Sequence, residues 1–279
     1  MRQFIVENKQ IRDGLIQLEG KDYRYLRQVL RARAGDMISV RLPDDSLSNA
    51  TVAKIDEGSR RITLQLCAAT GETITRGVQA DEIAAGVSGG AGLGQVEYWL
   101  FPFLPRPQKF ELIVRQATEC GVAVIVPVIG EYTEKSSAQA IVGAKKERLE
   151  RIIKEARQQS GSPVNTRVTE PMSLEQAIEL WGSGDVAFVL SERDDCSGNL
   201  RSSVQAAGGL EQIKKAAIAV GSEGGISPDE VRLLEEKGLF VPIHFAVNIL
   251  RCETAALYGI AAVQSEINQS KGLPGQAGQ

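Results

Sequence analysis

The run Leu250-Arg251-Cys252-Glu253-Thr254-Ala255-Ala256 sets a permanent cation two residues before a carboxylate, where an apolar stretch gives way to an alanine-rich helix pattern. Arg251 offers a planar fork of donors suited to a phosphate or a pyrimidine carbonyl. Glu253 can accept a proton or orient a neighbour. The alternative for this pair is a surface ion pair, which is worth little. Upstream, Gly221-Ser222-Glu223-Gly224-Gly225 follows the apolar run Ala216-Ala217-Ile218-Ala219-Val220. Glycines in such a loop admit positive φ or let a ligand approach bare backbone. A phosphate-binding loop needs Gly-Lys-Ser/Thr, but the next lysine is Lys237, and Glu223 opposes an anion. A cationic or neutral ligand fits better; a tight strand-to-helix turn without a ligand is the alternative.

The glycines must sit between a strand and a helix. Ser227-Pro228-Asp229-Glu230 carries a cap residue, a proline at the first helical position and a glutamate three residues after the cap. From Gln95 onward, strand and helix patterns alternate. Strands are expected at 96–104, 122–129, 186–191, 216–220 and 240–244, and helices at about 107–120, 143–160, 173–181, 228–237 and 252–268, with an amphipathic segment near 200–214. Such alternation predicts an α/β domain with a mainly parallel, helix-covered sheet. Ligands of these sheets bind beyond the carboxyl ends of strands, which is where both glycine loop and Arg251 fall.

Residues 1–70 read differently, as short alternating strands at 4–6, 37–42, 50–55 and 61–66 around one helix at about 21–33. This pattern suggests a small β-barrel. Leu26, Val29 and Leu30 form the expected buried stripe of that helix. Arg24, Arg27 and Arg31 recur at three and four on the opposite face, as a solvated surface or a set of phosphate contacts. Residues 1–70 hold 12 Lys and Arg against 9 Asp and Glu, a net of +3; the remainder holds 20 against 26, a net of −6. That asymmetry hints at different partners for the two parts. Between them, 71–94 is rich in Gly, Thr and Ala and reads as a linker or disordered insert. The division expected is therefore 1–70, 71–94, 95–268 and a tail at 269–279.

Composition narrows the chemistry. The chain has 279 residues, 43% of them hydrophobic and 24% charged, so a packed core is expected. No apolar run approaches the roughly 20 residues of a membrane helix, and MRQFIVENKQ lacks the apolar stretch of a secretion signal. A cytoplasmic protein is expected, with no membrane association. Cys67, Cys120, Cys196 and Cys252 are dispersed, without a C-x-x-C pair, and read as reduced thiols. The single histidine, His244, excludes a multi-histidine site, and no metal is expected. Its place after Phe240-Val241-Pro242-Ile243 suggests a structural role.

GSEGGISPDEV at 221–231 and NILRCETAAL at 248–257 resemble the closing motifs of the RsmE-type ribosomal RNA uridine-N3 methyltransferases, of the knotted SPOUT superfamily. QKFELIVRQATECGVAVIVPV (108–128), RIIKEARQQSG (151–161) and YLRQVLRARAGD (25–36) resemble that family's helices in the same order. The chain departs from the family pattern at Ser222, at Phe245-Ala246, and at Tyr25, Gln116 and Ser162. The resemblance implies S-adenosylmethionine held in a C-terminal trefoil knot by three loops: Leu190-Ser191-Glu192, Gly221 to Gly225 with Glu223 and Gly224, and Phe245 to Leu250 with Val247 and Ile249. Thr254 would bond the cofactor or cap the last helix. It further implies a PUA-like RNA-binding barrel using Arg24, Arg27 and Arg31, a homodimer, and a uridine N3 of 16S ribosomal RNA as target, within the assembled small subunit. Arg251 would then stabilise the developing uracil anion, with Glu253 as proton acceptor or orienter. Rival readings are a knotted methyltransferase with another RNA site and a noncatalytic RNA-binding module.

Overall fold

The computed structural model describes residues 3–12, 15–67, 96–134, 144–182, 184–192, 198–207 and 212–270. The expected insert at 71–94, Cys196 and residues 271–279 of the expected tail lie outside them. By internal packing the chain falls into two units, Met1–Gly89 with Arg157–Pro163, and Gly90–Ala156 with Val164–Gln279. Nothing in the sequence pattern marked Arg157–Pro163 as grouping with the first unit.

In the first unit, β1 (Phe4–Ile5), β2 (Ile11–Arg12), β3 (Leu15–Glu19), β4 (Met37–Arg41), β5 (Leu47–Asp56) and β6 (Arg61–Leu66) form one sheet. Its order is β1-β4-β5-β6-β3-β2, antiparallel except for β1 on β4. The sheet curls into a half-barrel, with β1 and β2 at its edges, where the sequence suggested a small barrel. Alternating inward residues such as Ile16, Leu18, Val40, Ala50, Val52, Ile62 and Leu64 fill it, together with Phe4 and Leu26. Strand β2 went unforeseen because it is two residues long, and β3 was missed along with it.

The helix of this unit departs from expectation. It begins as α1 (Gly20–Arg24) and continues as a π-turn, Tyr25–Val29, in which the Leu30 N–H bonds the Tyr25 carbonyl at 3.1 Å. Arg31 then takes φ 55, and the Ala32 N–H reaches back to Leu26 at 2.9 Å. This is a left-handed helix terminator of the kind glycine usually supplies. Arg24, Arg27 and Arg31 therefore do not share one helical face. Arg27 donates to the Ala32 carbonyl and pairs with Glu57 at 2.8 Å, while Arg24 and Arg31 are exposed. Val29 is exposed too, which leaves Leu26 as the buried member of the expected stripe and Leu30 partly covered.

In the second unit, β7 (Glu97–Pro102), β8 (Val124–Ile125), β10 (Arg167–Val168), β12 (Val186–Leu190), β13 (Lys215–Val220) and β14 (Val241–Ile243) make a parallel sheet of order β10-β8-β7-β13-β12-β14. Strands β9 (Val128–Ile129) and β11 (Met172–Ser173) pair separately. The expected strand 122–129 is split because Pro127 cannot donate to a ladder. Helices cover both faces: α2 (Pro107–Glu119), α3 (Ala144–Ser160), α4 (Leu174–Trp181), α5 (Leu200–Ala206), α6 (Pro228–Gly238) and α7 (Cys252–Ser270). Successive strand residues point to opposite sides. Tyr98, Leu100, Phe188 and Ile218 pack with α2, α3 and α7, whereas Trp99, Phe101, Val189 and Ala219 pack with α4 and α6. Burial on both sides explains why these strands read as continuous apolar runs.

Phe188 is fully buried at the centre of this sheet. Phe188→Ala is expected to cost about 3–5 kcal/mol in urea unfolding followed by circular dichroism.

Candidate functional site

The strand order makes β13, β12 and β14 adjacent and parallel. Their carboxyl ends, Val220, Leu190 and Ile243, therefore lie side by side, and the segments leaving them enclose one cavity of about 360 Å³. Pockets for small ligands begin near this size, at roughly 300 Å³. Leu190, Ser191 and Glu192 contribute from the first segment, Gly221, Glu223 and Gly225 from the second, and Phe245, Val247, Ile249, Leu250 and Arg251 from the third. These eleven residues, picked from three separated stretches of sequence, share one wall.

The glycine loop is tightly self-packed. A side chain at Gly221 would meet the Gly225 backbone at 2.7 Å, and main chain cannot yield. Gly225 has φ +80, and its N–H bonds the Ser222 carbonyl at 3.0 Å. Gly224 faces the other way: a Cβ there would meet Tyr132 at 2.7 Å, and Gly224 is not part of the cavity lining. The helix signals act as the sequence demands. Ser227 Oγ accepts from the Glu230 N–H at 3.3 Å, and Glu230 Oε2 accepts from the Ser227 N–H at 2.9 Å. Glu230 Oε1 also accepts from the Glu131 N–H at 2.7 Å, which fixes where α6 starts.

The start of α7 carries the charge. Glu253 pairs with Lys109 at 3.7 Å, and not with Arg251 as a local ion pair would have it. Its carboxylate also accepts from the Cys252 thiol at 3.2 Å. Burial alone would raise the Glu253 pKa; its own backbone N–H, the Cys252 thiol, Lys109 and Arg251 outweigh that and hold it below the usual carboxylate value. Burial, with the carboxylates nearby, pushes the Cys252 thiol up to about 12. Neither Glu253 nor Thr254 lines the cavity, and Thr254 is exposed on the first turn of α7. Glu253 stands behind the wall, reached through Lys109 and Cys252.

Ser222 and Asn248 fall within the expected loops, whereas Lys109, Ile226, Val231, His244, Cys252 and Ala255 line the cavity without having been singled out for it. His244 makes the structural bond the sequence suggested and lines the cavity as well. It is half-buried on the cavity wall, with Nδ1 3.2 Å from the Ser191 carbonyl. A carbonyl only accepts, so Nδ1 carries the hydrogen of this bond. The apolar residues before it signalled a strand but not what lies beyond that strand's end. Phe245 packs edge-on against Tyr258 of α7, centroids 5.0 Å apart, which steadies the third segment.

A parallel sheet whose strand-end loops enclose such a cavity defines a ligand-binding α/β domain, and comparison with known proteins says which. Residues 94–264 match the model of a family described as an RNA methyltransferase domain. The chain belongs to this RNA methyltransferase family. A ribosomal RNA small subunit methyltransferase E of Bacillus subtilis is 28% identical over 178 residues, which are 63% of this chain and 69% of that protein. One from Synechocystis is 26% identical over 264 residues, 94% of this chain and 76% of that protein. The crystal structure of a ribosomal RNA small subunit methyltransferase E from Neisseria gonorrhoeae, bound to S-adenosyl methionine, superposes with a TM-score of 0.67 at 22% identity, over 95% of this chain and 97% of that one. The fold is therefore shared along nearly the whole length.

Two measurements check the electrostatics. Because the Glu253 pKa is lowered by folding, its contribution to stability is complete above the unfolded value and is lost as pH falls through the folded one. Urea midpoints of wild type and Glu253→Gln should differ at about pH 7, with the variant weaker, and converge once the pH has fallen below the folded Glu253 value. Mass mapping after brief alkylation of folded protein near pH 8 should find exposed Cys67 modified and buried Cys252 intact.

Proposed function

We propose that this chain transfers a methyl group from S-adenosylmethionine to N3 of a uridine in 16S ribosomal RNA of the small subunit. One observation carries this reading: the ends of three adjacent strands enclose a single cavity in which bare backbone, carboxylates and Arg251 meet. The names of the Bacillus subtilis and Synechocystis relatives support the RNA class, and that of the Neisseria gonorrhoeae structure supports the cofactor.

The residues present suit that cofactor. Leu190, Phe245, Val247, Ile249 and Leu250 offer apolar surface for a flat base, and Gly221 and Gly225 present main chain to the cavity. Glu192 places negative charge beside a ligand that carries a sulfonium and an ammonium. When bound, S-adenosylmethionine supplies an electrophilic methyl group on sulfur.

The protein's task is to align the incoming nucleotide and release the N3 proton. Arg251 lines the cavity and is exposed, and its fork can face a uracil carbonyl oxygen. Charge placed there stabilises the uracil anion that forms as N3 loses its proton. Glu253, ionised behind the lining, accepts that proton through an intervening water. Its low pKa makes it a weak base, and each pKa unit of mismatch costs about 1.4 kcal/mol. The help of Arg251 is therefore essential to the step.

In the first unit, Arg24 and Arg31 stand exposed and Arg27 is shared with Glu57, a set suited to phosphate contacts. Val247 and the 83% exposed Ile249 leave apolar surface at the cavity rim, which suits a homodimer with a second copy. The trefoil knot and action in the cytoplasm, on the assembled small subunit, belong to the same reading.

Calorimetry should show the full chain binding S-adenosylmethionine; absence of binding would favour a noncatalytic RNA-binding module. Mass spectrometry of small-subunit nucleosides should show 3-methyluridine lost from a deletion strain and restored by wild type. Arg251→Ala should lower the methylation rate about 10²–10³-fold. Unchanged 3-methyluridine in the deletion strain would move the activity to another RNA site.

A further inference from the structure

Lys109 lies in the segment 108–128 that shares in the family resemblance, yet neither that resemblance nor methyl transfer as described gives it a part. It is the third residue of α2 and lines the cavity. Its Nζ lies 3.4 Å from Glu223 Oε1 in the glycine loop and 3.7 Å from Glu253 Oε2 at the start of α7. Glu223 Oε1 also accepts from the Arg106 backbone N–H at 3.3 Å, at the cap of α2. The carboxylate that seemed out of place in a ligand loop thus turns back onto the positive end of a helix. One ammonium joins three elements: α2, the loop after β13 and the first turn of α7.

The arrangement is partly shielded from water, the three side chains being 30%, 33% and 15% exposed. Remove the ammonium and two carboxylates converge with no cation between them, each disfavouring the other's charge. The groups that face Glu253 are Lys109 from α2, Glu223 from the glycine loop, and Arg251 and Cys252 from its own junction. Arg251 is needed by the substrate in the reading above, so Lys109 is the cation left to hold Glu253.

We propose that Lys109 is a positioning residue for methyl transfer: its ammonium fixes the Glu253 carboxylate behind Arg251 and ties the glycine loop to the same wall. The proposal rests on the methyl-transfer reading for its link to rate, though not for the link between Lys109 and Glu253. Replacing Lys109 by Met keeps the length of the side chain and removes the charge. Lys109→Arg keeps the charge.

The test uses the full chain, S-adenosylmethionine and small-subunit particles from a deletion strain, with rates measured across pH. Lys109→Met should lower kcat about tenfold or more, by misplacing Glu253, and shift the acid limb of the profile to higher pH. Lys109→Arg should recover most of the rate. In a Glu253→Gln background, Lys109→Met should add little, because the two residues act as one. An equal further loss in that background, or a wild-type profile in Lys109→Met, would overturn the proposal. Carbon-13 titration of the Glu253 carboxyl decides the matter independently of turnover: it should move to higher pH in Lys109→Met and stay near its wild-type place in Lys109→Arg. No movement in Lys109→Met would overturn the hold on Glu253 even in an active enzyme. Wild type that fails to methylate would instead sink the methyl-transfer reading, with the titration still deciding the contact.

Discussion

The parallel pairing of β13, β12 and β14 is the constraint on which the site depends. Val189 is matched to Ala219 on one side and to Pro242 on the other. This register brings the three strands to an end at one level, so three loops distant in sequence open into the same space. The strands are buried on both faces, and their backbone groups have few alternatives to the ladder bonds they make. Loops that are irregular in themselves are thereby held by a rigid base, a common way to build a site from flexible parts.

Small residues let the surrounding elements close in. A side chain at Gly259 of α7 would meet Leu190 Cδ1 at 2.7 Å and Ile218 Cγ2 at 3.2 Å. The last helix can lie against β12 and β13 because that position is bare, and its first turn then reaches the cavity. The same closeness carries Cys252 and Glu253 to Lys109. Packing and charge are coupled here: the small face of α7 sets the distance at which the ion pairs form.

Much of this was legible in the sequence. The capping box at Ser227 and Glu230 located α6 because its signals are local and obey fixed offsets. The apolar runs of β12 and β13 announced a doubly covered sheet. The three loop segments were what the family resemblance implied, and strand order explains why they meet. What failed was what depends on tertiary geometry. The π-turn at Tyr25–Val29 and the left-handed Arg31 broke a helical face that regular 3.6-residue spacing promised. Pro127 divided a strand, and the pairing of β9 with β11 rests on two-residue segments with no period to detect. Lys109 lies far in sequence from Glu223 and Glu253, so no local pattern could join them, and the place of His244 on the cavity wall was hidden because only its strand was visible.

The account stands on the three strand-end segments forming one ligand cavity. Hydrogen–deuterium exchange of the full chain, with and without S-adenosylmethionine, tests this most directly. Amides in 190–192, 221–225 and 244–251 should slow together on addition of the ligand. Protection confined to one of these segments, or located elsewhere in the chain, would contradict it.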